Sequence, residues 1–254
     1  MPRTLNPETY AVRRDAFLDA AEALMRARGW ESVTVQDILD ATGASKGAFY
    51  HYFGSKEDVL EAVIDRMTAA ALVVVGPIAS DPDLAAPAKL QAVFTTAGTW
   101  KTARSDLLLA FMRSWYSDEN DRVRVRVARA GAARLTPVFA SIIRQGTDEG
   151  AFTPTSPEYA AGILVALFNG SSDAIGRLVV DRQDGLVAYA EVERFMRAYE
   201  EAIERILGLR PGSFVLIEEP ALHVWFDGPG AAPVITTIDP STATAATTST
   251  EERP

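Results

Sequence analysis

Hydrophobic and polar positions along most of the chain follow the three-to-four-residue spacing of amphipathic helices, interrupted by short Gly, Pro and Asp signals. The first predicted helix runs from about Asn6 to Arg28. Two short helices then begin at Thr34 and after Ser45, where a hydroxyl can accept the free amides of the first turn. A fourth helix opens at Ser55. Long helices therefore flank two short ones in the N-terminal quarter of the chain.

The same spacing predicts five more helices, at about residues 87–103, 105–117, 121–149, 156–181 and 186–207. Residues 122–127 alternate Arg and Val with period two, as a strand does, but their helical flanks favour a helix. Beyond Pro211 the pattern changes. The β-prone runs Phe214–Ile217 and Leu222–Phe226 predict a hairpin or a packed extended arm. From Gly228 onward Thr, Ala, Ser and Pro dominate, which favours disorder.

Composition restricts the class of protein. Hydrophobic residues make up 48% of the 254 positions, enough for a sizeable core, and the chain contains no cysteine for disulfides or thiolate metal sites. The longest uncharged apolar segment, Ala69–Ile78, is too short to span a bilayer. No apolar signal segment follows Met1–Thr4. These features favour a soluble, cytoplasmic protein without a membrane partner.

The net charge of −9 argues at first against nucleic acid as a partner. The acidic surplus, however, lies beyond residue 56, and the N-terminal segment is close to neutral. The charge distribution therefore permits DNA binding without implying it.

Two short helices joined by a tight turn and supported by long helices describe a helix-turn-helix over Thr34 to Phe53. Gly43 allows the turn to adopt a backbone conformation that residues with a Cβ rarely adopt. Gly47 keeps the N-terminal end of the second helix slim enough for the major groove. Phe49 and Phe53 lie four residues apart and should anchor that helix to the core.

Three segments carry a specific resemblance: Thr34-Val-Gln-Asp-Ile-Leu39, Thr42-Gly-Ala-Ser-Lys-Gly-Ala-Phe-Tyr-His-Tyr-Phe53 and Ser55-Lys-Glu57. Together they resemble the signature of the TetR family of bacterial regulators, with a dense match across residues 12–64. The segment Gly146–Phe152 adds weaker support. The resemblance implies an all-α, nine-helix homodimer with an N-terminal helix-turn-helix domain and a C-terminal helical ligand-binding and dimerisation domain.

The boundaries expected from this resemblance are residues 1–55 for the DNA-binding domain and 56–210 for the ligand and dimerisation domain. Residues 211–254 form an extension about which the resemblance says nothing. Carried over by position, the DNA contacts come from Thr34, Ser45, Lys46, Gly47, Tyr50, His51 and Lys56. Thr34 and Lys56 lie at helix starts, where phosphate contacts are expected, and Tyr50 and His51 are the candidates near base edges.

Candidate ligand residues are the aromatic and polar side chains in the middle of the second domain: Trp100, Phe111, Met112, Trp115, Tyr116, Asn169 and Asp173. The aromatic group is either ordinary core or the lining of an apolar cavity. The two polar residues either orient a ligand or lie on a solvated or interfacial stripe.

Candidate dimer residues share small size on one helix and bulk on its neighbour: Gly162, Ala166, Gly170, Phe195, Met196, Tyr199 and Ile203. Their alternative role is packing within one chain. A homodimer is favoured because a single helix-turn-helix buries little DNA surface for tight selective binding.

The sequence therefore predicts a DNA-binding regulator, taken as a repressor that a largely apolar small molecule releases from double-stranded operator DNA. An activator or a ligand-independent helical dimer of the same fold is the alternative. An enzyme is disfavoured because the chain has no nucleophile paired with a base, no metal-ligand spacing and no phosphate-binding glycine loop. No cofactor and no metal are expected.

Overall fold

The computed structural model describes residues 7–116 and 120–227, and within these ranges the chain is folded into helices and connecting turns. The helices are α1 (Pro7–Arg28), α2 (Val35–Thr42), α3 (Lys46–Tyr52), α4 (Lys56–Ala79), α5 (Ala86–Thr102), α6 (Ser105–Trp115), α7 (Asp121–Asp148), α8 (Pro157–Gln183), α9 (Tyr189–Leu207) and α10 (Glu219–Phe226). The nine expected helices are all present, and the alternating segment 122–127 lies within α7.

The residues beyond α9 differ from the sequence prediction. Leu222–Phe226 was expected to belong to a hairpin or a packed extended arm, but it lies in α10, a helix with Pro220 in its first turn. Phe214–Ile217 is irregular and forms no strand with it. The helix is favoured because Leu222 and Phe226, four residues apart, are both buried on one face. Residues 228–254, for which disorder was expected, lie outside the described ranges.

Two clusters of buried side chains divide the molecule. The first, the N-terminal core, joins α1 to α3 and the first half of α4, with Leu18, Ile38, Phe49 and Leu60 among its fully buried members. The second, the C-terminal core, joins α5, α7, α8 and α9 with the end of α4 and the residues beyond α9. The helices α4 and α6 contribute to both cores.

Helix α6 bridges the two cores. Leu107 is buried in the N-terminal core, and Leu108 and Trp115 pack against the same cluster. Leu109 and Met112 pack instead against the C-terminal core. Because these side chains share one short helix, a displacement of α6 relative to one core must also disturb its packing on the other.

Two helices, α4 and α8, are long and apolar enough by length and composition to cross a membrane. The uncharged segment Ala69–Ile78, which was judged too short to span a bilayer, lies within α4. Core helices of folded domains satisfy the same criterion, and both helices pack within the protein: α4 contacts α1, α5 and α7, and α8 contacts α7 and α9.

Candidate nucleic-acid interface

A complete capping box begins α2. The Thr34 hydroxyl accepts the Asp37 amide at 3.2 Å, and the Asp37 carboxylate accepts the Thr34 amide at 2.7 Å. Arg28, from the end of α1, lies 2.6 Å from the same carboxylate. The bond from Arg28 and then those from Thr34 hold the pKa of Asp37 far below its ordinary value. The ion pair and the cap together connect the start of α2 to α1.

The turn between α2 and α3 has the conformation that its glycine predicted. Gly43 has φ 63° and ψ 18°, the left-handed region, and its amide donates to the Leu39 carbonyl. The Ala44 amide donates to the same carbonyl at 3.2 Å. Ser45 then caps α3, since its hydroxyl accepts the Ala48 amide at 3.2 Å. The turn therefore sets the angle at which α3 leaves α2.

The inner face of α3 is aromatic. Phe49 and Phe53 are buried, as expected, and their rings lie 5.7 and 6.1 Å from that of Phe17 on α1. Tyr52 packs between Tyr10, at 4.6 Å, and Phe17, at 5.7 Å. Tyr52 is therefore part of the support of α3 and not of its outer face.

The outer face of α3 is polar and open. Ser45, Lys46, Gly47, Tyr50 and His51 are all exposed, and half of the surface of Tyr50 is accessible. The Lys46 ammonium lies 6.0 Å from the centre of the Tyr50 ring. A Cβ on Gly47 would meet no atom within 4 Å. The structure thus brings together five of the seven predicted DNA contacts on one slim surface, which we call the α3 outer face.

The two remaining predicted contacts have partners within the protein. The Thr34 hydroxyl donates to Asp37 at 2.6 Å in addition to capping α2. The Lys56 ammonium donates to the Trp30 carbonyl at 2.8 Å and lies 4.8 Å from the centre of the Trp30 ring. Lys56 therefore fastens the start of α4 to the turn after α1, whereas Lys46 on α3 is exposed.

Sequence reasoning missed Tyr10 as part of this region. Its ring contacts His51 edge to face at 5.8 Å as well as Tyr52, so α1 holds the end of α3 from the side. Tyr10 lies seven residues before Phe17, on the same face of α1, and this spacing was the available signal.

Several of the predicted ligand residues have partners within the protein. Tyr116 donates to the Ser172 carbonyl at 2.9 Å, and burial is the main cause that raises its pKa to about 12. Asp173 lies 3.3 Å from the Arg177 guanidinium, and Asn169 donates weakly to the Ala128 carbonyl at 3.4 Å.

The predicted tryptophans are also engaged. The Arg104 guanidinium covers the Trp100 ring at 4.1 Å, and Trp115 packs on the N-terminal core. Met112 packs on the C-terminal core, and the side chain of Phe111 lies outside the described part of the structure. Two grooves beside the segment that follows α9 are lined by other residues.

The predicted dimer residues divide into two sets. Met196 and Ile203 are buried in the C-terminal core of their own chain, which is the alternative role that the sequence left open. Ala166 and Gly170 are exposed, Gly162 is half-buried, and Phe195 and Tyr199 form a partly buried ring pair at 4.7 Å. Tyr159 and Ile163 are also exposed on α8, and the sequence did not single them out although they precede Ala166 at helical spacing. We call these four exposed residues the exposed α8 stripe: Tyr159, Ile163, Ala166 and Gly170.

Comparison with known proteins agrees with this geometry. The family model described as bacterial regulatory proteins of the tetR family matches residues 17–63, which covers α2, α3 and the adjoining parts of α1 and α4. The transcriptional repressor KstR2 of Mycolicibacterium smegmatis is 41% identical over 58 residues, 23% of this chain and 28% of that protein. A transcriptional regulator of Lactococcus lactis is 42% identical over 61 residues, so these matches span less than a third of each relative.

Longer similarities are weaker in sequence. The transcriptional regulator TcmR of Streptomyces glaucescens is 28% identical over 214 residues, 79% of this chain and 84% of that protein. The structure of SmeT, the repressor of a multidrug efflux pump of Stenotrophomonas maltophilia, aligns with a TM-score of 0.53 at 21% identity. That alignment covers 81% of this chain and 96% of SmeT and shows a common fold. These relatives are named as regulators and not as enzymes. The helix-turn-helix region, residues 17–63, therefore matches the tetR family of bacterial regulatory proteins in sequence, and the helices that follow share the fold of SmeT.

Proposed function

We propose that the protein is a cytoplasmic transcriptional repressor that binds a palindromic operator in double-stranded DNA as a homodimer and is released by a small molecule. The observation that carries this proposal is the α3 outer face, where five polar or small residues stand clear of a helix anchored by Phe49 and Phe53. A slim, exposed helix of this kind fits the major groove, where a recognition helix reads base edges.

The roles of the exposed residues follow from their chemistry. Lys46 and the Ser45 hydroxyl suit phosphate oxygens, which position a protein on DNA without reading its sequence. Tyr50 and His51 lie one and two residues beyond the buried Phe49 and offer hydrogen-bonding groups at the surface. Two copies of α3 must lie roughly 34–36 Å apart to enter successive major grooves, which a dimer achieves.

Coupling between a ligand and DNA has a physical route in α6. This helix packs on both cores, and Asp106 at its start pairs with Arg26 of α1. A ligand that binds one arrangement of α6 more tightly than another would change the spacing of the two α3 helices. It can shift that equilibrium only by its differential affinity for the two arrangements.

The first test is a gel shift of the full chain with the DNA that flanks its own gene, over a series of salt concentrations. Lys46→Ala is expected to weaken binding to all sequences and to reduce the slope of log affinity against log salt by about one for each phosphate that is no longer neutralised. The matched control is Arg205→Ala, which removes a positive charge from the exposed surface of α9 and should leave affinity and slope unchanged.

Unchanged operator affinity and salt slope for Lys46→Ala would contradict the docking of α3 on DNA. An absence of any specific shift at low salt would favour a helical dimer without DNA function. An activator would bind the same DNA, and a reporter gene behind the operator distinguishes the two, since deletion of the protein raises expression only if it represses.

A further inference from the structure

The segment after α9, residues 211–227, is built into the C-terminal core, and we call it the C-terminal strap. Phe214 is 3% exposed, and its ring meets that of Phe94 on α5 edge to face at 5.1 Å. Phe94 in turn lies 4.7 Å from Phe168 on α8 and 5.8 Å from Phe139 on α7. The strap thus adds an aromatic ring to a cluster of phenylalanines that α5, α7 and α8 contribute.

A buried carboxylate receives the backbone on either side of that ring. Glu204 on α9 is 3% exposed, and its Oε1 accepts the amides of Ser213 at 2.8 Å and Phe214 at 3.0 Å. One turn earlier, Glu200 accepts the Leu216 amide at 2.8 Å. A buried carboxylate is costly without such donors, so the strap supplies what Glu204 requires.

Hydrogen bonds to side chains of α9 and α5 hold the backbone of the strap, and a ligand with its own donor could replace them. The strap amides at 213, 214 and 216 donate to side chains of α9, and Gln91 of α5 exchanges two hydrogen bonds of 3.0 Å with the backbone of Val215. A groove of about 340 Å³ lies between the strap and α9. Beside Phe214 it is lined by three carboxylates and two guanidinium groups: Glu200, Glu201, Glu204, Arg197 and Arg205. This volume lies within the usual range for small-molecule sites, and Glu204 borders it.

We propose that the strap is the internal occupant of an effector site and that arylalkylamines displace it. The ring of such a ligand takes the place of the Phe214 ring against Phe94, and its ammonium donates to the Glu204 carboxylate in place of the two amides. Arg197 and Arg205 also border the groove, so the selection of an amine rests on Glu204, the buried acceptor. An aromatic carboxylate or a neutral aromatic would leave Glu204 without donors.

Release of the strap would reach the DNA-binding domain through α6. Helix α10, the second half of the strap, contacts α5, α6 and α8, and Trp225 on α10 donates to Thr102 at the end of α5 at 3.1 Å. Withdrawal of the strap would therefore remove the contacts that α10 makes with α6, the helix that packs on both cores. This consequence rests on the proposed function, whereas the site itself does not.

Hydrogen–deuterium exchange on the full chain, with phenethylamine as the probe and without DNA, tests the site. The amides of 213, 214 and 216 are expected to exchange at least tenfold faster with saturating phenethylamine, because their carboxylate acceptors are taken by the ligand. Equal concentrations of 3-phenylpropanoate and ethylbenzene should leave them protected. No acceleration at millimolar phenethylamine, or the same acceleration with 3-phenylpropanoate, would overturn the proposal.

Glu204→Gln provides the sharper variant, since its amide oxygen still accepts both strap amides while the negative charge is gone. Phenethylamine should act on it only at concentrations at least tenfold higher than on the unchanged protein. The control is Glu201→Gln, which removes a charge that borders the same groove and pairs with Arg205 on its own helix, and it should shift the response less than twofold. Equal effects of the two substitutions would overturn the role of Glu204.

A gel shift on the same samples separates the site from the function. Strap release with loss of the operator complex supports both proposals. Strap release with an unchanged operator complex supports the site and overturns its link to DNA. Failure of the ligand-free protein to bind operator overturns the proposed function, and the exchange result then still decides the site.

Discussion

At the scale of single residues, Lys46 at the start of α3 and Lys56 at the start of α4 have different environments. Lys46 is exposed on the α3 outer face beside Tyr50, so its charge faces solvent. Lys56 donates to a backbone carbonyl of Trp30 and covers its ring. A charge on a solvated surface contributes to the electrostatics of binding, whereas a charge bonded to the protein contributes to stability.

Lys56→Ala is therefore expected to lower the free energy of unfolding by about 1–2 kcal/mol, because it removes both the hydrogen bond and the cation–π interaction with Trp30. Lys46→Ala should change it by less than about 0.5 kcal/mol, as exposed substitutions usually do. Urea unfolding followed by circular dichroism measures both. Equal effects of the two substitutions on stability would contradict this division of roles.

At the scale of elements, the start of α2 and the end of α7 show how local contacts fix the position of a helix. The start of α2 depends on Asp37, which joins the cap of Thr34 to Arg28 of α1. The end of α7 depends on close packing, since a Cβ on Gly146 would lie 2.1 Å from an atom of the buried Phe152 ring. The first constraint is electrostatic, so the start of α2 should respond to a change of pH. The second is steric, so the end of α7 should respond to a larger side chain.

The pKa of Asp37 gives α2 a dependence on pH. Its folded pKa lies below the unfolded value of 3.8, so the stabilisation is complete above that pH and is lost as the pH falls through the folded value. Asp37→Asn should flatten the fall in thermal midpoint from pH 5 to pH 2. The control Asp40→Asn, one turn along the same helix, keeps Asp37 and should keep the slope. An unaltered slope in Asp37→Asn would contradict the ion pair.

Gly146→Ala is expected to destabilise the protein by about 1–3 kcal/mol, because the new methyl group must displace Phe152 in a packed core. Gly131→Ala on the same helix is the matched control: its Cβ would meet no atom within 4 Å. Since alanine favours a helix over glycine, Gly131→Ala should stabilise by up to about 1 kcal/mol. Thermal unfolding of the two variants compares the signs directly.

At the scale of the whole molecule, the proposed dimer depends on the exposed α8 stripe. Tyr159 is 78% and Ile163 is 55% exposed, and both are large apolar side chains beside Ala166 and Gly170. Such a stripe of apolar and small residues suits a two-fold interface, in which the same surface serves both subunits.

Ile163→Glu is accordingly expected to convert the dimer to a monomer, because two copies of the charge would meet near the two-fold axis without partners. Val125→Glu, which replaces an apolar residue of similar exposure on α7, should remain a dimer. Sedimentation equilibrium measures the mass, and the operator gel shift of Ile163→Glu should weaken in parallel. A dimeric Ile163→Glu would place the interface elsewhere.

Local signals in the sequence were sufficient for the nine expected helices, the turn at Gly43 and the anchoring of α3 by Phe49 and Phe53. Caps, turn glycines and apolar spacing act within a few residues, so they can be recognised without the fold. Local signals were not sufficient for α10, whose β-prone residues form a helix because one face is buried against α5 and α8.

Only the tertiary structure decided the roles that depend on partners distant in the chain. Lys56 lies against Trp30, Met196 and Ile203 face their own core, and Phe214 fills a site lined by Phe94. The sequence predicted each of these residues to be exposed, interfacial or β-forming, because composition and spacing describe the roles that are open to a side chain. The role that a side chain actually takes is determined by contacts that form only when helices far apart in sequence pack together.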